Sequence, residues 1–308
     1  MTAGYATPLY FLAFDHRASF ERGLFGATPP LSSEVRRGIT AAKELLFAAN
    51  QLAVDGGAPR ERSGILVDEE FGTTVARKAK EAGIPLAMPV ERSGQAEFDF
   101  EYGEHFAEHV EAFNPTFVKV LVRYNPEGDA ELNRRQGERL ARLTEWIRAT
   151  GRLFLFELLV PATTAQLEVF EDHHGDYDHQ LRPHLVVQTL AELQAAGVEP
   201  DIWKVEGLDS ADDAAAVVAQ ARTKGRDAVN CIVLGRGASW ERVTGWLRVG
   251  AGVTGFVGFA VGRTLWQEAL TRHLAGQISA EAAARNIAER YRELMSVYDS
   301  AALVKSPT

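Results

Sequence analysis

Eight short apolar runs punctuate the chain, and most are separated by longer stretches with apolar residues at i, i+3 and i+4. The runs are Pro8 to Phe14, Gly64 to Val67, Pro85 to Val90, Phe117 to Val122, Leu153 to Val160, Ile202 to Val205, Val229 to Leu234 and Gly255 to Val261. Continuous apolar runs suit parallel strands buried on both faces better than half-exposed antiparallel ones. No linker rich in Pro, Gly or Ser divides the units. The order therefore predicts an α/β protein with one closed (β/α)8 TIM barrel over residues 1–308, with flexible ends at 1–7 and 300–308. A doubly wound open sheet is the main rival, but nothing like GxGxxG follows the first strand.

The punctuation agrees with this order. Gly83, Gly151, Gly197, Gly225 and Gly252 each stand between a helical stretch and the next strand, where a left-handed C-cap favours glycine. Ser33, Ser210 and Ser239 stand near helix starts, where a hydroxyl can cap an orphan N–H. Helices are expected around Glu34 to Asn50 and, as a closing element, Ala280 to Tyr298. Two connections are long: residues 18–32 after strand 1 and 161–182 after strand 5 are expected loops on the catalytic face, and either could serve as a lid.

Composition narrows the partners. With 33 Lys+Arg against 42 Asp+Glu, a formal charge of −9 and no basic run, the chain predicts no nucleic-acid surface. No apolar run approaches the ~20 residues that span a bilayer, so no membrane partner is expected. Met1 to Pro8 lacks the pattern of a secretory signal, and a cytoplasmic location is expected. Cys231, the single cysteine, excludes an intramolecular disulfide and reads as a small packed residue.

Only seven of the 33 basic residues are lysines. Where an arginine-preferring chain uses lysine, the ammonium itself can be what matters, because arginine neither loses its proton nor forms an imine. Lys43, Lys78, Lys80, Lys224 and Lys305 fall on helical stretches or the tail and are expected to be solvated, as is the acidic stretch Glu101 to Glu111. Lys119 and Lys204 alone lie inside strands.

Other polar residues sit where a barrel carries its chemistry, at the C-terminal strand ends. Strand 1 ends at Asp15-His16-Arg17, strand 2 at Asp68-Glu69-Glu70 and strand 3 at Glu91-Arg92-Ser93, while strand 5 holds Glu157 and strand 6 holds Lys204 and Glu206. Buried charges need partners. One reading is an ion network of Lys119 and Lys204 with Glu157 and Glu206 that only organises the core. The other is chemical: a desolvated lysine beside a second cation becomes a nucleophile toward carbonyls. Strand periodicity puts Lys204 and Glu206 on one face and Trp203 and Val205 on the other, so Glu157 on the neighbouring strand can approach an inward Lys204. Strands 7 and 8 run into Gly235-Arg236 and Gly262-Arg263, where N–H groups, a helix dipole and guanidinium forks suit a phosphate.

The segments LAFDHRASF, ILVDEEFG, MPVERSGQ, FEYGEHF, VKVLVRYNPE, FELLVP, DIWKVEGLD, VLGRGAS and GFAVGRTLW, spread over about residues 8–300, resemble the DUF2090 family. This is the aldolase-like domain also found fused behind the sugar kinase in some bacterial inositol-catabolism proteins. More distantly, KVE and VKVL resemble the class I tagatose-bisphosphate aldolases. The resemblance implies Schiff-base cleavage of a ketose phosphate or keto-acid phosphate, such as 2-deoxy-5-keto-D-gluconate 6-phosphate giving dihydroxyacetone phosphate and malonate semialdehyde. Lys204 matches the imine lysine, Glu157 the acid/base, Lys119 the strand-4 lysine and Asp15 the strand-1 acid. The DQR-like strand-1 end of the family is Asp15-His16-Arg17 here.

On this expectation Lys119 and burial keep Lys204 partly neutral, and Glu157 removes and returns protons. Arg236 and Arg263, with the N–H groups near Gly235 and Gly262, hold the phosphate. Asp15, Glu91 and Arg123 are candidates for substrate hydroxyls or a carboxylate. No cofactor and no metal are called for. The partner is a small phosphorylated sugar or keto acid, and a homo-oligomer is compatible with a barrel aldolase. Two alternatives remain: a metal-dependent aldolase using His173, His174 and His179, and a non-catalytic sugar-phosphate sensor using the same arginines.

Overall fold

The computed structural model describes residues 4–170 and 174–304. Strand β1 (Leu9–Ala13) leads through a π-helical turn (Ser19–Leu24) to α1 (Ser33–Asp55), β2 (Ser63–Leu66), α2 (Glu69–Glu81) and β3 (Leu86–Pro89). A 3-10 turn (Gly103–His105) and α3 (Phe106–Phe113) precede β4 (Phe117–Arg123), α4 (Ala130–Thr150) and β5 (Leu153–Leu159). Then come α5 (Thr164–Val169), α6 (His174–Gln180), α7 (Arg182–Ala195), β6 (Ile202–Glu206), α8 (Ala211–Ala221) and β7 (Asn230–Leu234). The chain ends with α9 (Trp240–Ala251), β8 (Phe256–Val261), α10 (Arg263–Leu274) and α11 (Ala280–Leu303).

Each strand pairs in parallel with its neighbour in sequence, and β8 returns to β1, so the eight strands close a (β/α)8 TIM barrel. The strand pleat divides the apolar residues into two cores. Leu9, Phe11, Phe117, Leu155, Ile202 and Ile232 belong to the cluster inside the barrel. The alternate residues, among them Tyr10, Val118, Phe156 and Trp203, pack outward against the helices. Cys231 is part of that outer core, and burial pushes its thiol up to about 12. Closure between β8 and β1 depends on Gly258, at φ 145°, where a Cβ would stand 1.9 Å from the Leu9 carbonyl oxygen.

Several expectations change in detail. Four of the five glycines punctuating helix ends have positive φ, but Gly252 does not: at φ −70° it continues the right-handed turn of α9, and the left-handed step falls on Gly255. The cap of α1 is Ser32, whose hydroxyl accepts from Val35 N, and Ser33 is the first helical residue. Ser210 and Ser239 cap α8 and α9. The long connections are structured, with a π-helical turn in 18–32 and the helices α5 and α6 in 161–182. At the ends, Gly4 N donates to Asp201 and residues 300–303 complete α11. Among the described residues, no helix is long and apolar enough to cross a membrane.

The largest departure concerns Lys43. Its side chain is fully buried, donating to Asp68 and to the carbonyls of Phe14 and His16, with the Phe20 ring 4.8 Å away. Its spacing from Ile39, Leu46 and Phe47 places it on the apolar stripe of α1, a signal that was present in the sequence. Asp68 also caps α2 by accepting from Phe71 N. Glu101, expected to be solvated, accepts from Arg17 at 2.7 Å.

Candidate active site

Inward positions near the N-terminal ends of the strands are apolar, and the same pleat farther along carries charge. On β4, Phe117 is followed two residues later by Lys119; on β5, Leu155 by Glu157; on β6, Ile202 by Lys204 and then Glu206. Glu157 and Lys204 are register partners on adjacent strands. Their Oε2 and Nζ atoms are 2.9 Å apart, and the same oxygen is 3.1 Å from Lys119 Nζ. Lys119 Nζ also donates to Asp15 Oδ2 at 2.9 Å and to Glu91 Oε1 at 2.7 Å. Both lysines are almost wholly buried.

This constellation gathers five of the sequence candidates, Asp15, Glu91, Lys119, Glu157 and Lys204, with two ammoniums facing three carboxylates. Burial alone would push the Asp15 carboxyl up, but the Lys119 ammonium, helped by Lys204, outweighs it and holds it well below the usual range. Glu157 is likewise lowered: burial is outweighed by Lys119 and Lys204. Glu91 is raised, since Lys119 and Arg17 do not offset its desolvation. For Lys119, burial is outweighed by Asp15, Glu157 and Glu91, and its pKa rises far above the ordinary lysine value. The expected pressure of a bare Lys119 cation on Lys204 is thus replaced by a Lys119 whose charge three carboxylates share.

A cleft of about 160 Å³ opens onto four of these five residues, Asp15, Glu91, Lys119 and Glu157, with His16 and Arg123 also in its lining; Lys204 lies behind Glu157, outside that lining. Among the described residues, four buried polar atoms of this lining have no hydrogen-bond partner: His16 Nδ1, Arg17 Nε, Glu91 Oε2 and Gln95 Nε2. Arg123 reaches toward the β3 loop, its Nη1 donating to the Gln95 carbonyl at 2.9 Å.

The Gly–Arg pairs lie at a separate corner, after β7 and β8. Arg263 is the first residue of α10, whose N-cap Gly262 supplies no side-chain cap, so the helix N-terminus is free of a competing hydroxyl. Its Nη2 donates to the Arg236 carbonyl at 3.2 Å, which joins the two turns. Gly235-Arg236, by contrast, lies in a turn ahead of α9 rather than at its first residue, and Ser239 caps that helix. Arg236 is held by Asp178 at 2.8 Å and by Glu206 at 3.1 Å, with φ 55°. Glu206, grouped with the lysines in the network reading of the sequence, instead pairs with Arg236 and accepts from Val160 N. The missed partner Asp178 sits on α6, in a stretch whose sequence reads as a loop.

Of the histidines considered for a metal, His173 lies outside the described residues, and His179 Nδ1 is 2.9 Å from Asp209. No group of His, Cys, Asp and Glu among the described residues is arranged to hold a metal ion.

The profile of the DUF2090 family, described as an uncharacterized protein conserved in bacteria, matches residues 3–302. The chain belongs to the DUF2090 family. None of the curated proteins compared with this DUF2090 chain matches its sequence. Its fold is similar to that of a Schiff-base-forming fructose-1,6-bisphosphate aldolase, at 16% identity and a TM-score of 0.54, over 92% of this chain and 94% of that one. The fructose-bisphosphate aldolase of Plasmodium falciparum superposes with a TM-score of 0.65 at 14% identity, over 97% and 98%. An archaeal fructose 1,6-bisphosphate aldolase gives 0.55 at 16% identity, over 92% of each chain. At such identities the DUF2090 chain shares a barrel fold with these proteins.

Proposed function

We propose that this protein is a class I aldolase that cleaves a ketose phosphate or keto-acid phosphate through an imine on Lys204. The observation that carries this reading is the shared Glu157 oxygen between Lys204 and Lys119 at the C-terminal end of a closed barrel. The two lysines differ in a way that suits different tasks. Lys119 is fastened by three carboxylates and kept protonated; Lys204 has a single ion-pair partner among the described residues, the carboxylate best placed to take its proton.

Lys204 Nζ, relieved of a proton by Glu157, attacks the ketone carbon. As that proton moves, one of the two cations that depress Glu157 disappears, so the carboxyl becomes able to hold it. Glu157 then protonates the departing hydroxyl as the carbinolamine loses water and the imine forms. The protonated imine accepts the electron pair of the breaking C–C bond and becomes an enamine. Lys119 keeps Asp15, Glu91 and Glu157 in one array throughout. Arg263 and the N-terminus of α10 provide the phosphate anchor, with Arg236 joining when an anion competes with Asp178. Arg123 and Glu91 face the non-reacting hydroxyls or carboxylate in the cleft. The substrate that the family resemblance favours is 2-deoxy-5-keto-D-gluconate 6-phosphate, cleaved to dihydroxyacetone phosphate and malonate semialdehyde.

Borohydride reduction in the presence of dihydroxyacetone phosphate should fix a covalent adduct on Lys204, read by peptide mass. Lys204→Arg should form none and lose turnover, because arginine keeps the charge without making the imine. Full activity in Lys204→Arg would end the reading.

A further inference from the structure

His16 lies where the lysine cluster meets the phosphate corner, and the steps above leave it unused. A Cβ added to Gly262, the residue before Arg263, would stand 2.9 Å from His16 Cε1. The imidazole meets Trp266 edge to face at 5.8 Å, and Trp266 is itself fixed by its indole N–H donating to the Ala13 carbonyl. The backbone is held too, since the His16 carbonyl accepts from buried Lys43 at 3.2 Å. The ring is thus placed by three elements, β8–α10, α1 and the end of β1. It lines the cleft and its side chain is 29% exposed, yet Nδ1 is buried without a hydrogen-bond partner among the described residues and stands 3.9 Å from Asp15 Oδ1.

The ring shares the cleft lining with Asp15, Lys119 and Glu157, the carboxylate paired with Lys204, and on its other side it packs against Gly262, the residue before Arg263. The charges of Asp15, Glu157, Lys204 and Arg263 bear on it. Burial pushes it down to about 4, which leaves it neutral, with one N–H and one lone pair. An anion docking at Arg263 offsets one of the two cations and moves it back toward its ordinary range. The neighbouring carboxyls are less suited to carry a proton to and from carbon: Asp15 and Glu157 are held ionised by the lysines, and Glu91 is bound to Lys119 at 2.7 Å.

We propose that His16 is the proton carrier for the carbon–carbon step at Lys204. The inference rests on the Schiff-base reading and adds a second proton path to it, separate from the one through Glu157. In the cleavage direction the imidazole lone pair takes the proton of the hydroxyl on the leaving carbon, and the C–O bond becomes the aldehyde carbonyl. The C–C electron pair moves onto the imine and yields the neutral enamine. After the aldehyde departs, the imidazolium gives the same proton to the enamine carbon, restoring the protonated imine, which water then hydrolyses.

The test uses dihydroxyacetone phosphate with two readouts. Borohydride capture measures imine formation on Lys204, and proton NMR in D2O measures exchange at the carbon beside the imine. His16→Gln should keep the Lys204 adduct and slow exchange by about 10²- to 10⁴-fold, the usual share of a positioned acid–base group. In His16→Ala, added imidazole should restore part of the exchange, which a purely structural role would not produce. Exchange within about threefold of wild type in a folded His16→Gln that forms the adduct would overturn the role of His16 and leave the Schiff-base reading standing. Loss of the adduct in folded His16 variants would also overturn it, by moving the residue to imine formation. Absence of an adduct in the wild-type protein would remove both.

Discussion

Glu157 Oε2 stands 2.9 Å from Lys204 Nζ because the two residues are register partners on neighbouring parallel strands, each pointing into the barrel. The contact is therefore a product of the sheet itself. A shift of either strand by one residue would turn one side chain outward into the helix layer.

Lys119 is the centre of charge balance, and its removal leaves three buried carboxylates with one lysine. Lys119→Met is expected to destabilise the fold by about 3–5 kcal/mol, the range for breaking a buried pair from one side. It should also reduce turnover by at least about 100-fold, since the array that positions Glu157 is lost. Urea unfolding and steady-state kinetics together measure this, and a variant as stable and active as wild type would contradict it.

Lys43→Met should leave Asp68 buried without its cation and lower stability by a similar ~3–5 kcal/mol. Replacing both partners, in Lys43→Met/Asp68→Asn, should cost less than Lys43→Met alone. A double-mutant cycle in urea reads the coupling directly.

Arg236 Nη1 donates to both carboxylate oxygens of Asp178, and on the proposed reading an incoming anion would compete with that pair. Asp178→Asn should release that guanidinium from one of the two carboxylates that hold it, leaving Glu206, and lower the concentration of inorganic phosphate needed for thermal stabilisation, by roughly two- to fivefold if the Asp178 pair contributes about 0.5–1 kcal/mol. Weaker phosphate binding in Asp178→Asn would show instead that the carboxylate orients Arg236 rather than occupying it.

Acid should weaken the fold in two stages. The folded value of His16, about 4, lies below its ordinary 6.5, so its neutral form contributes stability that is complete above ~pH 6.5 and is lost as pH falls toward 4. Asp15 and Glu157 are also lowered, and their contribution disappears only below about pH 4. Urea midpoints should therefore fall between about pH 7 and about pH 4.5 in wild type, and fall less in His16→Gln. Equal losses in the two proteins would rule out His16 as the source of the first stage.

The barrel was legible because its determinant is local: eight apolar runs of strand length, divided by helix-period stretches, admit few closed arrangements. Two lysines inside strands, a glutamate in a strand and arginines after the last two strands were legible for the same reason, as departures from a pattern each run otherwise keeps. Even Lys43 could have been read, from its place on the apolar stripe of α1.

Which charges meet is another matter. Lys119 on β4 reaches Asp15 on the far side of strands β2 and β3, and Arg236 pairs with Asp178 from a helix inserted after β5. Such contacts depend on barrel curvature, stagger and side-chain reach across the interior, none of which is encoded at the spacing of neighbouring residues. The sequence by itself determined the class of fold and the inventory of reactive groups. Only the closed tertiary structure decided that Lys119 shares its charge among three carboxylates, that Glu157 stands beside Lys204, and that His16 packs against Gly262 and Trp266 beside Asp15. Closing the sheet brings strand ends that are distant in sequence around one interior, and burial makes their charges choose partners.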